Sequence, residues 1–128
     1  MTKRVLDVGQ CSPDHATIRE FLARHFDCEV QQAHGPGDAL EQLKSGTFDL
    51  VLVNRKLDHD YSDGIDVIRA IKADAAVAGV PVMLVTNYAE HQDAAEAAGA
   101  LRGFGKLEFD APETREKLAA VLGNPSPT

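Results

Sequence analysis

Phe48-Asp49-Leu50-Val51-Leu52-Val53-Asn54 decides the fold of this chain. Its four consecutive aliphatic residues, Leu50 to Val53, stand between the turn Ser45-Gly46-Thr47 and a polar loop. The run is too short for an independent helix and too uniformly apolar for a strand with one wet face. It predicts a strand buried on both faces, the centre of a parallel sheet. A residue at the carboxyl end of such a strand points into the crevice where open α/β sheets bind ligands. Here that residue is Asn54, an amide that donates and accepts hydrogen bonds but is a poor nucleophile.

On either side, short apolar runs alternate with helical patterns. Lys3 to Val8 predicts a first strand, with Asp7 its one charged interior residue. Ser12-Pro13 predicts the start of a helix, serine as N-cap and proline at the first helical position, followed by Ile18, Phe21, Leu22 and Phe26 at helical spacing. Cys28 to Ala33 reads as an edge strand, Gly35-Pro36-Gly37 as a break, and Asp38 to Lys44 as a brief helix. After the central strand and the hydrophilic loop Arg55 to Asp63, Ile65, Ile68 and Ile71 share one helix face. Val80 to Thr86 predicts another buried strand, Ala89 to Ala98 an alanine-rich helix closed by Gly99, and Leu101 to Gly105 a glycine-weakened strand. Asp110 and Glu113 predict a capping box for a last helix with Leu118, Val121 and Leu122 inside. The sum is (βα)5, a doubly wound parallel sheet with helices on both faces.

At 128 residues the chain fits one domain, with 44% hydrophobic and 26% charged residues, ordinary values for a globular protein. We take 1–123 as that domain, and 124–128, of linker composition, as a flexible tail or the start of a linker. No run approaches the roughly 20 apolar residues of a membrane span, and the basic start leads into strand-like alternation, not a signal-peptide core. The expectation is a cytoplasmic protein. A net charge of −7 argues against a nucleic-acid surface, which needs clustered Lys and Arg. Cys11 and Cys28 lack any CxxC spacing and read as unpaired thiols. No nucleophile elbow, Ser-His-Asp set or zinc-type histidine pair is visible, so the chain does not read as an enzyme.

The frame resembles a response-regulator receiver domain, the phosphoacceptor module of two-component signalling. The residues that carry the resemblance run from Arg4 to about Leu122: Asp49 to Val53, Leu57, Asp63-Gly64, Thr86, Ala98-Gly99-Ala100 and Lys106. It implies a flavodoxin-like receiver fold of strand order 2-1-3-4-5, with a pocket at the carboxyl ends of strands one, three and five. In that family an aspartate ending the third strand accepts the phosphoryl group. An acid pair after the first strand holds Mg²⁺, and a Thr or Ser and a Lys bind the phosphoryl oxygens. This sequence departs at the decisive places. Asn54 occupies the phosphoacceptor position, and Gly9 and Gln10 occupy the acid-pair positions. Leu107 follows Lys106 where the family usually has a proline with a cis peptide; a non-proline cis bond costs about 2.5–4 kcal/mol, so trans is expected. Gly103 replaces the switch aromatic, and the loop from Asn54 to Gly64 is two residues longer than common.

Together these departures imply a pseudo-receiver, with Mg²⁺ binding weak or absent and no other cofactor. It is expected to act by protein contact, with a kinase, effector or another receiver. By resemblance the surface is that of the fourth helix, fifth strand and fifth helix, with weak homodimerisation through Ala94, Ala95, Ala97 and Ala98 as an option. Two alternatives stand beside it: a phosphoacceptor or Mg²⁺ site rebuilt from Asp7, Asp14, Asp58 or another acid, and an anion-sensing pocket retaining Thr86 and Lys106. For Thr86 the plainer expectation is a local hydrogen bond, and for Lys106 a bond to Asn54 or a nearby acid. Asp7 is expected to be a hydrogen-bonded structural carboxylate. His15 is expected on the surface, and the Asp58, His59, Asp60 and Asp63 cluster to be solvated.

Overall fold

The computed structural model describes residues 2–123, so the tail expected at 124–128 lies outside the described residues. Five parallel strands, β1 (Lys3–Val8), β2 (Cys28–Ala33), β3 (Leu50–Asn54), β4 (Val82–Val85) and β5 (Leu101–Phe104), form one sheet. Their order is β2-β1-β3-β4-β5, so the expected topology holds. Five helices alternate with them: α1 (Ser12–His25), α2 (Pro36–Ser45), α3 (Gly64–Ala73), α4 (Ala89–Ala97) and α5 (Pro112–Leu122).

The strand period of two divides the core into two layers. Leu6, Val8, Val51, Val53, Val82 and Leu84 face one way and pack with Ile65, Ile68 and Ile71 of α3. Val5, Leu50, Leu52, Met83 and Val85 face the other way, onto Ile18, Phe21 and Leu22 of α1 and Leu118 and Leu122 of α5. Leu50 through Val53 are wholly excluded from solvent. The same alternation puts Asp7 on the face of Val5, toward α1. Because Val8 pairs with Val53, Gly9 and Asn54 leave the sheet side by side.

Three helix starts differ from expectation. The N-cap of α1 is Cys11, not Ser12, and Pro13 falls within the first turn. Gly35-Pro36-Gly37 does not break the chain but opens α2, because proline suits the first turn and the Asp38 carboxylate accepts from the backbone of His34 and Gly35 at 2.8 Å each. Asp110 does not cap α5. A single 3-10 turn, Lys106–Glu108, takes up the preceding loop, and the helix begins at Pro112 with Ala111 as its N-cap. Glu108 holds that turn by accepting from Gly105 N at 2.7 Å. No peptide bond among the described residues is cis, so Lys106–Leu107 is trans as expected. Cys11 and Cys28 are free thiols, and burial, then the neighbouring Asp27 charge, pushes Cys28 up to about 11.

β5 is joined to β4 through an irregularity between Met83 and Val85. The gap is filled by Gln92 of α4, buried, whose amide donates to Leu84 O at 2.9 Å and accepts from Gly103 N at 2.8 Å. An added Cβ at Gly103 would lie 2.2 Å from Leu84 O. The position therefore excludes any larger side chain unless the backbone moves. Gly103→Ala is expected to cost about 1–3 kcal/mol, the range for forcing atoms into a filled interior. Urea denaturation checks this; an unchanged midpoint would show the strand can shift freely.

Candidate functional site

Gly9, Gln10, Asn54, Thr86 and Lys106 all stand at the carboxyl end of the sheet, but their surroundings are unlike one another. Gly9 has φ +81°, and a Cβ there would come within 2.3 Å of the Leu57 side chain. Leu57 is buried and its loop is pinned by Asp58 N donating to Gly9 O at 2.9 Å. Both the conformation and the space therefore favour glycine. Gln10 is buried as well, with both side-chain polar atoms lacking a hydrogen-bond partner.

Asn54 uses its amide as a donor. Nδ2 lies 2.8 Å from Lys56 O and 3.3 Å from Gly9 O. A carboxylate at this position could make neither bond and would face two carbonyl oxygens instead. The amide thus ties the end of β1 to the loop after β3. That loop is a small hairpin, with Lys56 bridging Asp63 and Asp63 capping α3 through Ile65 N at 3.0 Å. Asp58, His59 and Asp60 are exposed at its tip. Among the described residues, no three His, Cys, Asp or Glu side chains come together as a metal-binding group.

Two paired aspartates guard one side of the site. Asp7, fully buried, meets His15 Nδ1 at 2.7 Å. The expectation of a hydrogen-bonded structural carboxylate holds, but His15 is not a surface residue: its side chain is only 12% exposed. Burial pushes Asp7 up to about 6, against the smaller opposing pull of the His15 hydrogen bond and charge. Asp7 Oδ1 has no partner. One residue before His15, Asp14 binds Lys106 Nζ at 2.6 Å, which holds the Asp14 carboxyl below its ordinary range. Lys106 thus pairs with a nearby acid rather than with Asn54.

The other side is cationic. Thr86 Oγ1 lies 3.3 Å from His91 Nδ1 and 3.4 Å from Tyr88 N, a local arrangement as expected. Arg55 Nε donates to His91 Nε2 at 3.1 Å, which leaves the His91 hydrogen on Nδ1, directed at Thr86. Asn54, Arg55, Lys56, Thr86, Asn87 and Lys106 line a cleft of about 210 Å³. Reading the sequence for the site passed over Arg55 and Lys56, although their place directly after the strand-end residue was a sufficient signal. His91 gave none, because it reaches Thr86 only through the packing of α4. A larger hollow of about 560 Å³ lies at the opposite end of the sheet, among Leu43, Phe48, Val77 and Pro81.

An open parallel sheet of this strand order, with its polar residues gathered where β1 and β3 end, defines a doubly wound, flavodoxin-like α/β module. The chain belongs to the response regulator receiver domain family, whose model matches residues 13–106. The chemotaxis protein CheY of Pseudomonas aeruginosa is 33% identical over 120 residues, covering 93% of this chain and 95% of that protein. The transcriptional regulatory protein ZraR of Salmonella typhimurium is 36% identical over 110 residues, covering 83% of this chain. This chain spans only 24% of the length of ZraR. Among solved structures, the receiver domain of a Pseudomonas aeruginosa sensor histidine kinase, with a magnesium ion coordinated in its active site cleft, superposes with a TM-score of 0.78. It is 21% identical and covers 97% of this chain and 100% of its own. At that identity the likeness is one of fold.

The Asp7 environment makes a pH prediction. A buried carboxyl with a folded pKa near 6, above its ordinary 3.8, favours the fold while protonated; that contribution is lost as pH rises through about 6. Asp7→Asn cannot ionise and still accepts from His15. Relative to the variant, the wild type is expected to lose roughly 2 kcal/mol of stability between pH 4.5 and pH 8. Aspartates with lowered values, such as Asp14 and Asp38, are common to both proteins and cancel. Parallel denaturation curves at the two pH values check it, and a pH-independent difference would refute the assignment.

Proposed function

We propose that this receiver signals by protein–protein contact and does not pass through an aspartyl phosphate at position 54. The observation that carries the reading is the Asn54 amide donating to Gly9 O and Lys56 O, beside a Gly9 against which Leu57 is packed. The nucleophile is missing, and the space for a first-strand acid is filled.

The donor set does not fit Mg²⁺, a hard cation that takes carboxylate and water oxygens in octahedral array. Gly9 has no side chain, and Gln10 and Asn54 bring only neutral amides. The rearranged alternatives fare no better. Asp7 is buried and bonded to His15, Asp14 is committed to Lys106, and Asp58 is exposed on the hairpin. Gly103, closed against the Leu84 carbonyl, leaves no room for the switch aromatic at that position, and the neighbouring Phe104 is buried in the core. We therefore assign no Mg²⁺ or other cofactor and no enzymatic step to this domain.

The face of α4, β5 and α5 is the first surface to consider for a kinase, an effector or another receiver. Leu101 is 46% exposed there, Ala94 and Ala97 are exposed, and Arg102 bridges Asp93 and Glu96 at 2.7 and 2.8 Å. Small side chains beside a fixed guanidinium suit a shallow contact between helices.

The test is an amide NMR titration with Mg²⁺ and then with Mg²⁺ plus acetyl phosphate. No saturable shift is expected at Gly9, Gln10, Asn54 or Lys106, and no phosphoryl adduct by intact mass. Asn54→Asp alone is expected to stay unmodified, because Gly9 and Gln10 still supply no acid. Saturable shifts at those amides, or an adduct on the wild type, would sink the reading.

A further inference from the structure

We infer that the cleft beside Asn54 is a docking site for an acidic side chain of a partner protein, its carboxylate seated between Arg55, Lys56 and Thr86. This rests on the reading that no phosphoryl group is formed at position 54.

The cleft is a cationic pocket in an acidic protein. The chain carries 20 acidic and 13 basic residues, yet among the described residues no carboxylate lines the cleft, while Arg55, Lys56 and Lys106 do. Among the described residues, Arg55 and Lys56 form no ion pair; Lys106 alone is matched, by Asp14. Unpaired cations gathered around a concavity define where a negative group is favoured.

The pocket is also oriented. Arg55 is fixed through Nε on His91, which leaves its two terminal nitrogens for the paired hydrogen bonds that match a carboxylate. His91 Nδ1 and Tyr88 N both point at Thr86 Oγ1, so the Thr86 hydroxyl hydrogen is left to donate to an incoming oxygen. A carboxylate there would meet a guanidinium, an ammonium and a hydroxyl donor together.

A protein fits better than a free ion because the rim is apolar. Tyr88 is 61% exposed and Leu107 is 87% exposed, on the loops before α4 and α5. Asn87 ties these loops together by accepting from Leu107 N at 3.1 Å. A small anion would use the cations and leave this rim wet; a peptide would cover it, in the usual pattern of a polar anchor beside apolar contacts. A second copy is a poor occupant, since two chains of net charge −7 repel.

Asp14 is an internal competitor for Lys106. Asp14 satisfies it within the chain, so removing that carboxylate frees a third cation for the ligand.

The experiment is an amide NMR titration of the full chain with two pools of short peptides. Both have amidated C-termini and are randomised over residues other than Asp and Glu except at the centre, which is Glu in one and Gln in the other. The Glu pool is expected to shift Arg55, Lys56, Thr86 and Asn87 saturably, and the Gln pool to leave them in place. Arg55→Ala with Lys56→Ala should weaken the Glu pool by about tenfold or more, and Asp14→Asn should strengthen it. Equal responses to the two pools, binding that survives loss of both cations, or response to inorganic phosphate with none to the Glu pool would overturn the proposal. The pool comparison on the wild type needs no variant. Failure here with continued silence toward Mg²⁺ and acetyl phosphate would remove the docking site and leave the phosphorylation-independent reading standing.

Discussion

The carboxyl end of this sheet is organised by the close approach of Leu57 to Gly9. Parallel pairing of β1 with β3 brings the two chain segments out of the sheet together. Leu57, buried, then occupies the volume where a side chain at position 9 would stand. The Asn54 amide locks that arrangement by donating to carbonyls on both segments. A phosphoacceptor pocket needs acids and room for a hydrated cation at this place. Here the same backbone frame is closed by an aliphatic contact and an amide.

The electrostatics invert accordingly. Acids on the α1 side are already matched within the chain, Asp7 by His15 and Asp14 by Lys106. Among the described residues, the cations on the β3 side, Arg55 and Lys56, are not. In the proposed reading, this distribution of charge is what turns the cleft toward an anion. The Asp7 pair adds an energetic consequence: a carboxylate excluded from water favours the protonated form, because one hydrogen bond replaces only part of its lost hydration.

The far edge of the sheet reflects the same economy of space. At the irregular step between β4 and β5, Gln92 supplies the hydrogen bonds that the ladder omits. Gly103 permits the close approach to Leu84 O. A buried amide costs least when its groups are bonded, and Gln92 meets that condition on both its nitrogen and its oxygen. At this edge position 103 carries no side chain, and the joint between β4 and β5 is made by Gln92.

The sequence by itself determined the (βα)5 order, the strand order implied by the family frame, and the absence of acids at positions 9, 10 and 54, because apolar periodicity and side-chain identity are local properties. Helix starts were less legible: Ser12, Asp38 and Asp110 all carry capping side chains, yet proline geometry and the Lys106–Glu108 turn moved each boundary. The reason glycine stands at 9 and 103 could not be read from the chain, since the atoms that exclude a Cβ belong to Leu57 and Leu84, distant in sequence. The same holds for the site. Whether His15 meets water or Asp7, whether Lys106 meets Asn54 or Asp14, and that His91 aligns Arg55 with Thr86 were decided only by tertiary packing, because each depends on the distance between side chains on different elements.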